Sequence, residues 1–419
     1  MASRHKAQKT VLPSGVRVLS EKVNHVDSAS IGIWVGAGAR HEGVRNYGVS
    51  HFIEHMLFKG TERRSAQQIA DEMDSIGAHL NAFTDKEYTC YYARTLAEHL
   101  DVALDVLSDM VLRSVFDPEE IVREQNVVLE EIKRHEDTPD DLVHDMFAQL
   151  LWRNHPLGNP VIGSRKTVEG LTRDLVLSYM SAEYTPDNML ISVAGNVEHR
   201  ALVELVEEKF SSLSGRKASR VSSKIEPVKE MNLVEKSTEQ VHFCIGSEGY
   251  PQRSKQKYTL AVADSVLGGG MSSRLFQEIR EKRGLVYTIG SYCASYADAG
   301  LFVVFGGTST ENFEKVNSLV REGFAEMLKR PITEAELERA KNQIRGALVL
   351  GQESMSNRMS RMAKSEFYLG RIIRLREIIE EIMSVSREDV SRVAGELFTD
   401  GRFAMAAIGP IGSMEDMRQ

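Results

Sequence analysis

The chain has 419 residues, of which 42% are hydrophobic and 27% charged, and its formal net charge is -8. This is the composition of an ordinary globular protein, long enough for two domains of about 200 residues each. An acidic chain is a poor candidate for nucleic acid, and without a run of 18 apolar residues no membrane-spanning helix is expected.

The N-terminus reads MASRHKAQKTVLPSGVRVLSEK and passes directly into the strand-like stretch VRVLSEK. It lacks the apolar segment of a secretory signal peptide. The three cysteines, Cys90, Cys244 and Cys293, fit neither a thiolate metal site nor a disulfide framework. We therefore expect a reducing compartment and a cytoplasmic location.

The stretch GVSHFIEHMLFKG (48–60) predicts a helix that ends at Gly60. One face of this helix is an apolar stripe with the spacing of a buried surface. The other face carries His51, Glu54 and His55, with the two imidazoles one turn apart. Two imidazoles at this spacing can bind one zinc ion, and Glu54 is placed to act on water beside it. Two surface histidines would give the same pattern. The stripe comprises Val49, Phe52, Ile53, Met56 and Leu57.

A hairpin follows, with HLNAFT (79–84) and EYTCYYAR (87–94) as strands joined through Asp85 and Lys86.

The next long helix lies in FDPEEIVREQNVVLEEIK (116–133). A catalytic zinc site needs a third protein ligand, and this helix offers carboxylates. Glu124 and Glu131 are two turns apart and project from the same face. Glu130 competes for the role, but it lies about 100° around the helix from Glu131, so both cannot reach one ion.

A serine-rich, basic segment, SSLSGRKASRVSSKIEP (211–227), divides the chain near its middle. Its composition is typical of an exposed linker. We predict an N-terminal domain at 1–215, a linker at 216–228 and a C-terminal domain at 229–419.

The two halves share one plan. SIGIWVG at residue 30 is matched by VHFCIGS 211 residues later, and the helix at 116 by ITEAELERAKNQIRGALV 216 residues later. NMLISVAGNV at residue 188 is matched by RFAMAAIGPI 214 residues later. Single matches between common patterns arise by chance, but three similar offsets in the same order favour duplication and fusion.

Short alternating strands and long amphipathic helices are mixed in each half without regular βαβ alternation. We predict an α+β fold of two similar domains from internal duplication, each a largely antiparallel sheet with packed helices. Opposite HFIEH the second half reads TLAVADSVL (259–267), and opposite Glu124 and Glu131 it has Ala340 and Ala347. We expect no zinc in the second domain.

HFIEH, followed 76 residues after His55 by Glu131 within EQNVVLEE, resembles the pitrilysin/insulinase metallopeptidases, the inverzincins. Within that family the chain is similar to the β-type subunit of mitochondrial processing peptidase and its bacterial relatives. The flanking GVSHFIEHMLFKGT, the NAFTDKEYTCYY hairpin and GGGMSSRLFQEIREKRGLVYTIGSY also resemble family segments, so the likeness covers essentially the whole chain.

The resemblance implies a zinc-dependent endopeptidase that cuts oligopeptides or unfolded segments. It makes His51, His55 and Glu131 the ligands of one zinc ion per chain. Glu54 becomes the general base, and Glu124 a supporting acidic residue. The edge-strand segment Asn81, Ala82 and Phe83 is implied to bind the substrate peptide by strand addition.

Arg280 and Tyr287 match an Arg and Tyr pair of the family's C-terminal domains. The resemblance implies that this pair reaches the zinc site of a facing domain and stabilises negative charge developing on the substrate oxygen. Arg283 is an alternative donor. A salt-bridged arginine and a half-buried tyrosine would be the structural alternative.

Larger family members contain four such domains, so two chains are implied for a complete chamber. We expect a homodimer with sites completed in trans, with a heterodimer containing an α-type partner as the alternative assembly. The alternative function is a non-catalytic structural or peptide-holding subunit.

Overall fold

The computed structural model describes residues 7–217, 225–399 and 401–411. Residues 218–224 of the predicted linker lie outside the described residues. The chain divides into two compact units, each of which draws on both halves of the sequence. The first unit takes residues 351–372 from the second half, and the second unit takes residues 133–158 from the first half.

A six-stranded sheet forms the centre of the first unit, in the order β1-β2-β6-β3-β5-β4. The neighbours β2 and β6 run parallel, and the other neighbouring pairs are antiparallel. The strands are β1 Ala7–Val11, β2 Arg17–Lys22, β3 Ser28–Val35, β4 His79–Thr84, β5 Thr89–Leu96 and β6 Met189–Gly195.

A five-stranded sheet forms the centre of the second unit, in the order β7-β11-β8-β10-β9. Here too one pair, β7 and β11, is parallel and the rest are antiparallel. The order repeats that of β2, β6, β3, β5 and β4, which confirms the predicted α+β fold of two similar, largely antiparallel sheets. The strands are β7 Met231–Glu235, β8 Val241–Glu248, β9 Val286–Ser295, β10 Gly300–Thr308 and β11 Ala404–Gly409.

Helices cover both faces of each sheet. No helix in the described part of the chain combines the length and the apolar character needed to cross a membrane. In chain order the helices are α1 Val49–Met56, α2 Ala66–Ser75, α3 Leu100–Arg113, α4 Pro118–Glu136, α5 Pro139–Leu151, α6 Arg165–Glu169, α7 Arg173–Glu183, α8 His199–Phe210, α9 Gln256–Leu267, α10 Phe313–Lys329, α11 Glu334–Gly351, α12 Met355–Leu369, α13 Leu375–Met383 and α14 Arg387–Leu397.

The core of the first unit lies on both faces of its sheet. One face packs against α1, α3, α4, α7 and α8. The other face carries Trp34 and Cys90 and packs against methionines of α12, including Met359 and Met362. Two arginines of α12 also bind the buried carboxylate of Glu21 in β2, Arg358 at 2.6 Å and Arg361 at 2.8 Å.

The second unit is arranged in the same way. One face of its sheet packs against α9, α10 and α14, and the other against α5. The covering helix of each sheet therefore comes from the other half of the sequence: α5 follows α4, and α12 follows α11. The predicted domains, 1–215 and 229–419 with a linker at 216–228, divide the chain by sequence position and stay a prediction.

The predicted hairpin forms with a longer turn than expected. Strand β5 begins at Thr89 rather than at Glu87, and Thr84 pairs with Thr89. The Asp85 N–H donates to the Tyr88 carbonyl at 2.8 Å, and the Tyr88 hydroxyl donates to the Asp85 carboxylate at 2.7 Å. These two bonds close a four-residue turn in place of the predicted two-residue turn.

Candidate metal centre

The first turn of α1 is held by bonds from outside the helix. Gly48 precedes it in the left-handed region, with φ of 92°, which suits a residue without Cβ. The Glu42 carboxylate accepts hydrogen bonds from the backbone N–H groups of Gly48 at 2.7 Å and Ser50 at 2.8 Å. These bonds satisfy N–H groups that the start of a helix leaves without partners.

The apolar stripe of α1 is buried as predicted, and the opposite face is partly exposed. The regular helix ends at Met56, before the predicted end at Gly60. Tighter turn bonds continue to Lys59, and Gly60 has φ of 118°. The buried side chains are those of Val49, Phe52, Ile53, Met56 and Leu57.

Three side chains converge on the partly exposed face of α1. Glu131 Oε2 lies 3.8 Å from His51 Nε2 and 3.5 Å from His55 Nε2. One donor atom from each of the three residues lies within 4.8 Å of the others. Among the described residues, no second group of three His, Cys, Asp or Glu side chains is this close together. Glu130 lies outside the group and is exposed.

His55 is held from its other ring nitrogen. Its Nδ1 lies 3.1 Å from Oε2 of Glu124, which is only 4% exposed, and Lys59 Nζ lies 2.6 Å from the second Glu124 oxygen. Burial acts to lower the pKa of His55, but hydrogen bonds to Glu124 and Glu131 outweigh it and raise this pKa to about 9. When Nδ1–H donates a hydrogen bond to the Glu124 carboxylate, Nε2 is the ring nitrogen left to bind a metal ion, and it faces Glu131.

His51 has a different environment. Its buried Nδ1 has no hydrogen-bond partner among the described residues. Burial, together with the neighbouring His55, lowers the pKa of His51 to about 4, and Glu131 offsets this only in part. The ring is therefore neutral at pH 7.

Glu54 lies on the same face, next to His55 in sequence. Thr84 of β4 donates its hydroxyl to Glu54 Oε2 at 2.6 Å. Burial raises the pKa of Glu54, while the Thr84 hydrogen bond and the charge of His55 act to lower it. A carboxylate with a raised pKa is a stronger base near neutral pH.

The segment Asn81, Ala82 and Phe83 lies on β4, the edge strand of the first sheet. Thr84 ends this strand and contacts Glu54, so the exposed edge ends beside the Glu54 carboxylate.

Arg280 and Tyr287 lie together in the second unit. The Arg280 guanidinium carbon is 5.6 Å from the Tyr287 ring centroid and 4.6 Å from that of Phe276. Tyr287 is 79% exposed, so it is not half-buried. Arg283 instead pairs with Glu278 at 2.6 Å.

The segment TLAVADSVL lies in α9, and Ala340 and Ala347 lie on α11.

Sequence reasoning did not single out Glu42, Lys59 or Thr84. Lys59 lies one turn after His55, and that spacing, together with the acidic Glu124, is the signal that could have found it. Glu42 gives no such signal, because its partners are backbone groups.

The donor set fits zinc. Ligand atoms about 2.0–2.1 Å from a tetrahedral ion lie about 3.3 Å apart, and two imidazoles with one carboxylate are a familiar set in catalytic zinc sites. The distances of 3.5 and 3.8 Å between Glu131 and the two imidazoles are close to this spacing.

Two protein-family models match the sequence and identify its family. The model described as Insulinase (Peptidase family M16) matches residues 17–165, and the model described as Peptidase M16 inactive domain matches residues 170–344. Together the two matches cover most of the sequence. The chain belongs to the insulinase family, peptidase family M16, which confirms the predicted resemblance.

Relatives match the chain over nearly their whole length. YmxG of Bacillus subtilis (strain 168), named as an uncharacterized zinc protease, is 44% identical over 401 residues, 96% of this chain and 98% of the relative. An uncharacterized zinc protease of Mycobacterium tuberculosis (strain H37Rv) is 40% identical over 417 residues, 98% of this chain and 95% of the relative.

Solved structures have the same fold. A crystal structure of a peptidase M16 inactive domain from Pseudomonas fluorescens matches with a TM-score of 0.90 at 21% identity, covering 97% of this chain and 98% of that one. A protease from Helicobacter pylori matches with a TM-score of 0.89 at 22% identity, covering 97% and 100%. At this identity the likeness shows the fold alone.

Proposed function

We propose that the protein is a zinc-dependent endopeptidase that hydrolyses peptide bonds in oligopeptides or unfolded segments. In this proposal His51, His55 and Glu131 hold one zinc ion per chain. The observation that carries it is the convergence of these three donors beside Glu54. When bound, zinc supplies a Lewis acid that polarises the scissile carbonyl and makes water more acidic.

Glu54 moves the proton. The Thr84 hydroxyl holds its Oε2 at 2.6 Å and orients the carboxylate, which takes the proton from the attacking water and gives it to the leaving amine. Burial raises the pKa of Glu54, which makes its carboxylate a stronger base toward the attacking water.

The edge of β4 binds the substrate backbone. A peptide that adds to this edge as another strand uses main-chain hydrogen bonds along Asn81, Ala82 and Phe83, which accept varied sequences. Its scissile bond would then lie near Glu54, because Thr84 at the end of the strand touches that carboxylate.

The test is cleavage of a mixed peptide library by the purified protein, before and after removal of metal with a chelator. Cleavage that stops on chelation and returns with added zinc is the expected result. Zinc binding by a folded protein that leaves every peptide intact would favour the peptide-holding subunit instead.

Arg280 and Tyr287 complete the site in this proposal, as donors to the substrate oxygen that becomes negative. Because one chain carries both the His-His-Glu group and the Arg-Tyr pair, we extend the proposal to a homodimer in which one copy supplies the pair to the other. A heterodimer with an α-type partner is the alternative assembly.

Mixing two inactive variants tests the homodimer. Glu54→Gln and Arg280→Ala chains are each expected to lose about a hundredfold or more in turnover. After subunits exchange at equal amounts, half of the dimers are mixed and each keeps one intact site, so about one quarter of wild-type activity returns. Completion within one chain predicts no recovery. Arg283→Ala, whose guanidinium is bound to Glu278, should stay active alone.

Zinc binding at pH 7 is expected to release about one proton per ion. The pKa of His55 is raised to about 9, so it is protonated at pH 7, whereas the pKa of His51 is lowered to about 4 and contributes no proton. Apparent zinc affinity should therefore rise with pH and level off above about 9. Calorimetry in buffers of different ionisation enthalpy counts the protons. Glu124→Gln removes a partner of the His55 imidazolium and should reduce the release. An unchanged release in this variant would contradict the account.

A further inference from the structure

The two histidines of the candidate metal centre are oriented by different means. The His55 ring is fixed at Nδ1 by Glu124, which is itself held by Lys59. The His51 ring has no such bond, since its buried Nδ1 lacks a partner among the described residues. Its position therefore depends on the backbone of the first turn of α1, from which the side chain extends.

Glu42 holds that turn. Its side chain is buried, with 5% exposure, and its two oxygens accept from different backbone groups, Gly48 N–H at 2.7 Å and Ser50 N–H at 2.8 Å. Ser50 directly precedes His51. One rigid carboxylate thus fixes the backbone on both sides of Val49. A negative charge is also favourable at a helix N-terminus.

Two other contacts fix the same turn. The Ser50 hydroxyl lies 2.8 Å from the Tyr179 hydroxyl of α7. At Gly48 a Cβ would lie 2.7 Å from the Ile162 carbonyl oxygen and 2.9 Å from Gly163 Cα, so the backbone approaches this loop closely. These contacts keep the turn folded against its neighbours, but loss of the Glu42 bonds would leave the N–H groups of Gly48 and Ser50 without those partners and would let the direction of the turn vary.

We propose that Glu42 is a positioning residue for His51: it orients this histidine through the backbone of α1, as Glu124 orients His55 through Nδ1. The inference rests on the proposed function, for which His51 is a zinc ligand. Burial raises the pKa of Glu42 to about 7 despite its two backbone hydrogen bonds. A buried carboxyl with a raised pKa is a candidate functional residue, and we assign to Glu42 the function of holding the first turn of α1.

The test is zinc affinity, measured by competition with a chelator on folded Glu42→Gln protein. The amide can accept from one N–H but presents an NH₂ group to the other. We expect Kd for zinc to rise about ten- to a hundredfold, the effect of losing an outer partner of a metal ligand. The absorption spectrum of the cobalt-substituted protein should also change, because the angle of one ligand changes.

Glu21→Gln is the matched control. Glu21 is also buried in the first unit, with 3% exposure, but its partners are Arg358 and Arg361 of α12. This variant should lower Tm while zinc affinity and the cobalt spectrum stay as in wild type. If Glu42→Gln does not fold, Glu42→Asp keeps the charge but is too short to reach both N–H groups, and the same loss of affinity is expected.

Wild-type zinc affinity and an unchanged cobalt spectrum in Glu42→Gln would overturn the inference. So would an equal loss of affinity in Glu21→Gln, since the effect would then be general destabilisation. A wild-type protein that binds zinc without cleaving peptides would refute the proposed peptidase and leave the role of Glu42 standing. An active wild type with an unaffected Glu42→Gln variant would refute the role of Glu42 and leave the proposed peptidase standing.

Discussion

Replacing Glu54 with Gln is expected to lower kcat for peptide cleavage by about 10²–10⁴-fold, the usual contribution of a general base. The amide cannot take the proton from water, yet it has nearly the same shape as the carboxylate and can still accept the hydrogen bond from Thr84. Because Glu54 is not one of the three converging donors, zinc content should stay at the wild-type level.

Thr84→Val is a milder variant for comparison, because it keeps the Glu54 carboxylate and removes only its hydrogen bond from Thr84. The hydrogen bond from Thr84 acts to lower the pKa of Glu54, so its removal should raise that pKa further. The acidic limb of the kcat/KM profile should then move to higher pH, because the base must be ionised to act. Substantial cleavage by zinc-loaded Glu54→Gln protein would show that another residue is the base.

Glu131→Gln is expected to weaken zinc binding about a thousandfold. If a zinc site is worth about 10–16 kcal/mol, one of three protein ligands is worth about 4 kcal/mol, which corresponds to roughly a thousandfold in Kd. Glu131 lies between the two imidazoles, 3.5 and 3.8 Å from their Nε2 atoms, and an amide is a much poorer ligand than a carboxylate. Metal analysis after dialysis gives the measurement.

Glu130→Gln is the matched control, since it makes the same change one residue away on α4. Its side chain is exposed and lies outside the converging group. This variant should keep zinc and activity. Zinc loss in Glu130→Gln with retention in Glu131→Gln would reverse the assignment of the third ligand.

The parts of the candidate site that depend only on helix geometry could be predicted from the sequence. The apolar stripe of α1 fixes its buried face, so His51, Glu54 and His55 must share the other face. Sequence reasoning left Glu130 as a competitor of Glu131. The packing of Val128 and Ile132 in the core fixes the rotation of α4 and brings Glu131 to the histidines.

Features that depend on distant packing could not be predicted. The patterns of α5 and α12 show that each helix has an apolar face, but they do not show which sheet it covers. Each packs on the sheet built mainly from the other half of the chain. The same limit applies to Glu42, whose partners are backbone N–H groups that no residue type reveals.

The most direct test of a zinc peptidase is a titration of metal-free protein in which bound zinc and the initial rate of peptide cleavage are measured on the same samples. For a zinc peptidase with one three-ligand site, the rate should rise in proportion to bound zinc and stop rising at about one ion per chain. Cleavage that does not depend on zinc, or saturation with zinc without any cleavage, would contradict the proposed function.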